Sequence, residues 1–261
     1  MASSVASSWI AAHARPGVTG PARPDGEDME IDQAAELRFT EEMRAALGPV
    51  LRRAPEQDRS WRRVEAVVGA AEAILEEAGY DEVVQNLPGL CARAGIPTGT
   101  FYTYFENTDV VVECIRLLWA ERIYVLADEA FARPFRTWQE VADRVVDSTI
   151  DFFGHTATRE LWLARQLSRV TREAELRANA YTGAQIRTAV QRLGYTFTGD
   201  ELDESMLVEI ADQLSRYAFG PGHDGPPDPA VVDRAKRATR AYLGTLLILN
   251  DELDQNRVSA T

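Results

Sequence analysis

The stretch from Gly79 to Asp109 constrains the fold most, because it predicts two short helices joined by a tight turn. The first helix is indicated by apolar residues that share one face: Leu87, Leu90, Cys91 and Ala94. Gly95 follows, where a helix commonly ends in a left-handed residue. A second helix is predicted over 98–105, with Phe101 and Phe105 pointing inward. Two helices joined by a glycine-containing turn are typical of the helix-turn-helix, whose second helix enters the DNA major groove.

Fixed positions in this stretch carry a family resemblance. The segments Ala94-Gly95-Ile96 and Gly99 to Phe105 (GTFYTYF), with Asn107 and Asp109, resemble the DNA-binding signature of the TetR family of bacterial transcription regulators. The close match covers about 61–119, and the remainder resembles the family only in its helical layout. The chain departs from the pattern twice. Thr108 replaces a lysine that usually contacts phosphate, and Pro97 replaces a serine that usually caps the recognition helix, so that we expect Thr98 to cap it instead.

Apolar periodicity continues along the rest of the chain and predicts an all-α fold, since no convincing strand alternation occurs. After a short helix from Thr40 to Leu51, the expected helices cover about 60–78, a long segment after Asn107, 137–154, 161–167, 171–193, 202–219 and 231–249. We therefore expect four parts. Residues 1–54 form an extension, disordered at 1–30; 55–105 form the helix-turn-helix domain; 106–255 form a larger helical ligand-binding and dimerisation domain; and 256–261 form a tail.

The charge distribution is unusual for a protein that would bind DNA. The net charge is −13, and the segment 57–120 carries five arginines against ten acidic residues. Distribution matters more than the sum, however. Basic residues cluster just before and within the first turn of the helix at 60–78: Arg52, Arg53, Arg59, Arg62 and Arg63. Cations oppose the dipole at a helix N-terminus. A phosphate backbone would compensate them, and a solvated basic tail is the alternative.

The sequence names candidate DNA-binding residues, each with its own chemistry. Threonine hydroxyls at Thr98, Thr100 and Thr103 suit phosphates or base edges, and their methyl groups suit thymine. Gly99 costs helix stability of about 1 kcal/mol, which makes sense if backbone approaches DNA closely. The family resemblance implies that Tyr102 and Tyr104 bind phosphates, although Tyr102 packing into the small core is equally open. The remaining candidates are Arg62, Arg63, Asn86 (a helix cap) and Thr108.

The family resemblance also implies a ligand cavity in the larger domain, suited to a small apolar or aromatic ligand. Its candidate lining residues are Trp119, Trp138, Phe152, Phe153, Trp162 and Tyr181, with Gln166 and Asn179 as the polar groups and ordinary core packing as the alternative for each aromatic residue. Apolar stripes on the last two helices predict a two-fold homodimer interface through Leu207, Ile210, Leu214, Ala235, Ala238, Tyr242 and Leu246. Such a dimer would match a near-palindromic double-stranded operator.

Other functional classes find little support in the sequence. No HExxH, GxSxG, GxGxxG or phosphate-loop motif occurs, the three histidines are scattered, and the two cysteines fall at core positions, so we expect no enzyme, cofactor or metal. Neither a signal peptide nor a membrane-length apolar run is present, which favours a cytoplasmic protein. The expected function is a repressor released from its operator by the ligand. The alternative is a TetR-like dimer that has lost DNA binding and binds ligands or proteins.

Overall fold

A computed structural model describes residues 39–154, 156–163, 168–219 and 225–250. The predicted disorder of residues 1–30, the candidate Gln166 and the side chain of the candidate Trp162 lie outside this description. Within the described ranges the chain is almost entirely helical, with eleven α-helices. The predicted all-α class is therefore confirmed.

Five short or medium helices and the start of a long one form the N-terminal part. Helix α1 (Glu41–Leu47) has Thr40 as its cap, as predicted. Helix α2 (Asp58–Ala78) is followed by α3 (Tyr80–Gln85), α4 (Leu87–Arg93) and α5 (Thr98–Tyr104). Glycines with positive φ mark two of the joints, Gly79 at +82° between α2 and α3 and Gly95 at +65° after α4. Helix α3 is an addition that the sequence pattern did not predict.

The C-terminal part is built on long helices. Helix α6 (Thr108–Phe131) begins at Asn107, whose side chain accepts from the Val110 N–H, as predicted. Then follow α7 (Trp138–Phe153), α8 (Thr156–Leu163), α9 (Arg169–Arg192), α10 (Glu201–Arg216), a 3₁₀ turn (Tyr217–Phe219) and α11 (Pro229–Thr245). Ser168 caps α9 by accepting from the Thr171 N–H.

A small antiparallel sheet corrects the prediction that the last helix reaches residue 249. Strand β1 (Tyr195–Phe197) pairs with β2 (Leu247–Leu249), with Thr196 opposite Ile248. Helix α11 instead ends at Thr245. The run of Leu and Ile at 246–249 is compatible with either structure, and only pairing with a strand some 50 residues away makes it extended.

The buried cores connect the two parts of the chain. One cluster contains Phe101 and Phe105, stacked at 5.1 Å between ring centroids, together with Phe153 and Leu161 from the C-terminal part. It also contains Phe39, Leu47 and Leu51, so the packed structure begins well before residue 55. A second cluster lies between α7, α9, α10 and α11. Both cysteines, Cys91 and Cys114, are buried free thiols.

Helix α8 joins the two parts through polar contacts as well. Glu160 Oε2 accepts from the Tyr80 backbone N–H at 3.4 Å, and the Glu160 carboxyl lies beside Gly79. Arg116, buried in α6, donates to the Leu161 carbonyl at 3.0 Å. The junction between α2 and α3 is therefore braced by the helix that follows α7.

Candidate nucleic-acid interface and ligand cavity

Helix α5 is placed by two aromatic side chains and the turn before it. Phe101 and Phe105 are fully buried in the first core cluster. The residue at the N-cap is Pro97, which provides no side-chain hydrogen bond, while its carbonyl accepts from the Thr100 N–H at 2.8 Å. Thr98 is already the first helical residue, so the expectation that Thr98 caps the helix is wrong.

The opposite face of α5 is open. Thr98, Gly99, Tyr102 and Thr103 are exposed, with Tyr102 45% exposed, and Thr100 is partly exposed. The Thr103 hydroxyl donates to the Gly99 carbonyl at 3.3 Å, which leaves its oxygen lone pairs and methyl group outward. This surface offers hydroxyls, one phenol and a bare stretch of backbone, groups suited to phosphate and base-edge contacts. The predicted equal chance that Tyr102 packs in the core is resolved in favour of an exposed side chain.

Neither packing within the chain nor backbone conformation requires glycine at position 99. A Cβ built on Gly99 meets no atom within 4 Å, and its backbone φ is not positive. Because glycine inside a helix costs about 1 kcal/mol relative to alanine, its use here is unexplained by the chain's own packing. A close approach by an external partner would explain it.

Two predicted contact residues, Tyr104 and Thr108, have buried side chains instead. Tyr104 is only 6% exposed, and its hydroxyl hydrogen bonds with Ser60 and Arg63 of α2, which lowers its pKa below the ordinary tyrosine range. The Thr108 hydroxyl donates to the Val84 carbonyl at 3.0 Å. Thr108 therefore ties α6 to α3, and it cannot replace the phosphate-binding lysine of the family pattern. For Tyr104 only the hydroxyl end, beside Arg63, approaches the surface.

The arginines before and within α2 form a cluster at the end of α5. Arg52, Arg53, Arg59 and Arg62 are exposed and Arg63 is partly exposed. Over the described residues, none of the five has a carboxylate within 4 Å. The Arg52 guanidinium donates to the Tyr102 carbonyl at 3.3 Å, and the Arg52 N–H donates to the Tyr104 carbonyl at 2.9 Å. This arginine cluster consists of Arg52, Arg53, Arg59, Arg62 and Arg63.

Asn86 has a local structural role that the sequence partly anticipated. Its side chain accepts from the Gly89 N–H at 2.9 Å and donates to Glu82 at 2.6 Å, so it caps α4. A Cβ at Gly89 would lie only 2.5 Å from the Asn86 amide. Asn86 and Gly89 therefore depend on each other. The neighbouring Arg93 is paired with Glu77 through two bonds of 2.5 and 2.6 Å, so the charge of Arg93 is already compensated within the chain.

A cavity of about 80 Å³ lies between α6, α7, α9 and α10. Its walls are mainly apolar, from Ile123, Leu126, Ala127, Ala130, Phe131, Val145, Phe152 and Val208. Its polar lining is Ser148, Thr149, Glu175, Asn179, Thr182 and Asp212. We call it the inner cavity.

An ionic network closes one end of the inner cavity. Glu175 accepts from Arg172 at 2.7 Å, and Asp212 accepts from Arg216 at 2.6 Å. Arg172 also reaches Glu209 at 3.3 Å. Burial raises the pKa of Asp212 to about 6, against the opposing effect of Arg216, and the nearby Glu175 and Glu209 raise it further. Three carboxylates thus share two guanidinium groups.

A second, more polar compartment of about 340 Å³ adjoins the inner cavity. The two share Leu126, Ala130, Ser148 and Phe152. This outer compartment adds Trp119, Arg122, Glu129, Arg133, Arg144 and Asp151. The Arg122 guanidinium lies 4.4 Å from the Trp119 ring centroid, and burial lowers its pKa.

Of the predicted pocket residues whose side chains the structure describes, Trp119, Phe152 and Asn179 line these compartments. Phe153 points the other way into the core shared with the N-terminal part. Trp138 packs over Gly244 in the second cluster, and the Tyr181 hydroxyl bonds to Asp128 at 2.5 Å outside the cavity. The aromatic pattern could not separate cavity walls from core. The sequence missed the acidic residues Asp212 and Glu175, which resemble ordinary helix-surface residues along the chain.

Several predicted dimer residues are buried within the chain itself. Leu207 and Ala235 are 0% and 1% exposed, so their placement at a dimer interface is wrong. Tyr242 donates to Asp203 at 2.9 Å, and Leu214 and Leu246 pack on the second core cluster. Ile210 and Ala238 are partly exposed. The apolar side chains that α10 leaves exposed are Leu202 and Met206, followed by Tyr217 in the 3₁₀ turn.

Neither a metal centre nor a membrane-spanning helix occurs in the described ranges. No group of three His, Cys, Asp or Glu side chains has a metal-binding arrangement. No helix there combines the length and apolarity that crossing a membrane requires.

Comparisons with known proteins agree with this architecture. Residues 136–247 match the family model described as tetracyclin repressor-like, C-terminal domain. No curated protein matches the chain. Among solved structures, a TetR-family transcriptional regulator from Streptomyces coelicolor is similar at a TM-score of 0.54 and 21% identity, over 72% of this chain and 99% of that one.

Two other solved structures share the fold. RolR in complex with resorcinol has a TM-score of 0.54 at 13% identity, covering 74% of this chain and 92% of that chain. A protein described as a TetR-family regulator from Mesorhizobium loti has a TM-score of 0.51 at 20% identity, covering 72% and 98%. At identities this low, the structural similarity shows a common fold alone.

Proposed function

We propose that the chain is a TetR-like transcriptional regulator, which binds an operator through α5 and is released by a small ligand in the inner cavity. The match of residues 136–247 to the tetracyclin repressor-like C-terminal domain supports this. In this proposal it is a cytoplasmic, homodimeric repressor. Each part of the proposal rests on a separate structural feature.

The outward face of α5 is the observation that carries DNA binding. Its exposed residues are short and polar, and Gly99 leaves the helix backbone uncovered. The arginine cluster lies at the end of the same helix, since Arg52 bonds to the Tyr102 and Tyr104 carbonyls. In this arrangement α5 enters the major groove while the arginines neutralise phosphates.

The overall acidity does not oppose this role. Coulomb interactions with distant carboxylates are screened beyond about 8–10 Å at physiological salt. Within the described residues the arginine cluster has no carboxylate partner and Arg52 bonds directly to α5, whereas Arg93 is already paired with Glu77. These arginines therefore supply positive charge beside α5 despite the net charge of −13.

Dimerisation would set the spacing of two copies of α5. Leu202, Met206 and Tyr217 form the exposed apolar stripe of α10 and the following turn, with exposed fractions of 68%, 42% and 75%. An isologous contact through this stripe would cover these side chains. It would also present two recognition helices to successive turns of a near-palindromic operator.

The ligand acts by preferring the conformation that does not fit DNA. The inner cavity touches α7, and α7 is followed by α8, whose Glu160 contacts the Tyr80 backbone. RolR, which shares this fold, was solved with resorcinol, and this supports a small aromatic ligand for the present cavity. The loss of operator affinity can be no larger than the ligand's differential affinity for the two conformations.

The decisive experiment is selection of genomic DNA fragments by the purified full-length protein at low ionic strength. We expect a near-palindromic sequence to be enriched, and Thr98→Ala/Thr103→Ala protein to lose the enrichment while remaining folded. A double alanine variant of the exposed threonines Thr198 and Thr245, in the C-terminal part, is the matched control. Absence of any enriched sequence would contradict the proposal.

The alternative function is a dimeric ligand-binding or protein-interaction module without DNA binding. It is favoured by the buried position of Thr108, because the family's phosphate-binding lysine has no replacement at that point. Under this alternative the selection recovers no sequence, while ligand binding to the isolated protein persists.

A further inference from the structure

The polar lining of the inner cavity consists mostly of acceptors. Asp212 Oδ2 takes the bonds from Arg216 at 2.6 and 2.9 Å, whereas Asp212 Oδ1 has no donor within the described residues. Asn179 donates one of its two amide N–H groups to Glu209 at 3.3 Å, which leaves its carbonyl oxygen available. Within the described residues, neither acceptor oxygen receives a hydrogen bond.

The threonine hydroxyls of the lining have already used their hydrogens. Thr149 donates to the Val145 carbonyl at 2.9 Å, and Thr182 donates to the Ala178 carbonyl at 3.0 Å. A hydroxyl has one hydrogen and two lone pairs, so both threonines present only lone pairs to the cavity. Ser148, at the wall shared with the outer compartment, has the remaining hydroxyl.

The charges around the cavity also favour a ligand with a hydrogen-bond donor. Among the described residues, Glu175, Glu209 and Asp212 form ion pairs with two arginines, Arg172 and Arg216. The lining residues from α6 and α7 carry no charge to balance the excess: Ile123, Leu126, Ala127, Ala130, Phe131, Val145, Ser148, Thr149 and Phe152. An anionic ligand would meet a carboxylate excess and few donors, whereas a hydrogen-bond donor would find unused acceptors.

We propose that the inner cavity selects small apolar molecules that carry a hydrogen-bond donor, with Asp212 Oδ1 and Asn179 Oδ1 as the acceptors, and that it rejects carboxylates. The apolar part of the ligand contacts Phe152, Ala127 and Val208, and the donor is directed to α10 and α9. This inference rests on the cavity being the ligand site of the proposed regulator and names the ligand's chemistry.

The anionic alternative concerns the outer compartment. Arg133 and Arg144 line it, and over the part of the chain that the structure describes neither has a carboxylate partner. A molecule with an acid group there and its apolar part in the inner cavity would bind as a carboxylate. The two possibilities differ in the probe that binds.

The test uses four ring probes and ligand-observed NMR on the full chain without DNA: phenol, benzylamine, anisole and benzoate. Phenol and benzylamine carry donors, anisole has its donor capped by a methyl group, and benzoate is an anion. We expect the two donors to bind at least tenfold more tightly than anisole or benzoate, because one bond to a charged acceptor is at stake. Because DNA is absent, failure of operator binding cannot be mistaken for failure of this inference.

Substitutions test which residues determine this ligand selectivity. Asp212→Asn should reduce the preference for phenol over anisole at least fivefold, while Asp143→Asn, which breaks an ion pair with Arg240 outside the cavity, should leave it unchanged. Ala127→Leu should weaken all probes by filling the space. Equal binding of phenol and anisole, or preferential binding of benzoate, overturns the proposal on the wild-type protein alone. Unchanged selectivity in Asp212→Asn overturns the assigned acceptor.

Discussion

The backbone N–H of Arg52 donates to the carbonyl oxygen of Tyr104 at 2.9 Å, which fixes the segment before α2 to the last turn of α5. The Arg52 side chain adds a bond of 3.3 Å to the Tyr102 carbonyl. Carbonyls at a helix C-terminus lack partners within the helix and favour cations. Arg52 therefore completes α5 and also places the arginine cluster beside it.

Gly99→Ala should separate packing from DNA contact. The new methyl group enters open space, so we expect the free energy of unfolding to rise by about 0.5–1 kcal/mol from helix propensity. Operator affinity should nevertheless fall, because the methyl group keeps the backbone from DNA. Chemical denaturation and fluorescence anisotropy measure the two effects. Gly69→Ala in α2, which is equally unobstructed, should stabilise without weakening DNA binding.

Arg62→Ala should change how binding depends on salt. Arg62 is exposed and unpaired within the described residues, so its removal should leave the thermal midpoint unchanged. The slope of log affinity against log salt should fall by about 0.9 if one phosphate contact is lost. Arg192→Ala, an exposed arginine in the last turn of α9, is the control. An unchanged slope for Arg62→Ala would show that Arg62 makes no phosphate contact.

Tyr102 and Tyr104 should respond oppositely to loss of their hydroxyls. Tyr102→Phe removes an exposed hydroxyl and should weaken operator binding with no change in stability. Tyr104→Phe removes the bonds with Ser60 and Arg63, and we expect a loss of about 1 kcal/mol in the free energy of unfolding. Denaturation and binding curves on both variants test the pair. A lower free energy of unfolding in Tyr102→Phe would mean that the Tyr102 hydroxyl stabilises the fold and is not free to contact DNA.

Asp212 should make stability and ligand binding depend on pH in opposite directions. Its folded pKa of about 6 lies above the ordinary value of 3.8, so the folded state binds more protons between these values. The contribution of Asp212 to stability is therefore present below about pH 4 and lost as pH rises through 6. Asp212→Asn should remove this loss, and thermal melts from pH 4 to 8 measure it.

Phenol affinity should show the reverse trend, because only the ionised Asp212 is a full acceptor. We expect binding to weaken as pH falls below about 6, and the weakening to disappear in Asp212→Asn. The groups facing Asp212 are Arg216 and Glu209 on α10 and Glu175 and Arg172 on α9. A wild-type affinity that is constant from pH 5 to 8 would argue against ligand contact with this carboxylate.

Met206→Glu should give monomers, since it places a charge in the exposed stripe of α10. Leu176→Glu, at a similarly exposed residue of α9, serves as the comparison. Sedimentation velocity measures both. If the Met206→Glu protein stays dimeric and the Leu176→Glu protein becomes monomeric, the dimer interface lies on α9.

The sequence predicted local features better than distant ones. The caps at Thr40 and Asn107 and the left-handed Gly95 follow from nearby residues, and the structure has them. The strand 247–249 depends on a partner at 195–197, and the burial of Leu207 depends on which helices pack against α10. Periodicity identifies an apolar face and leaves its partner undetermined, so stripes that belong to the chain's own core were predicted as a dimer interface.

The acidic residues of the inner cavity could not be predicted for a related reason. Asp212 pairs with Arg216 one turn away, a spacing that is common on solvated helix surfaces. Only the approach of α9, with Glu175 and Asn179, turns that pair into a cavity wall. Tyr104 and Thr108 are comparable, because their partners Ser60 and Val84 lie on other helices.

Phe153 and Phe101 belong to one buried cluster, and Phe152, the neighbour of Phe153, forms a wall of the inner cavity. Under the proposed function, a guest molecule that displaces Phe152 would therefore press on the cluster that also holds α5. The separation of the two recognition helices in the proposed dimer would then depend on the size of the guest.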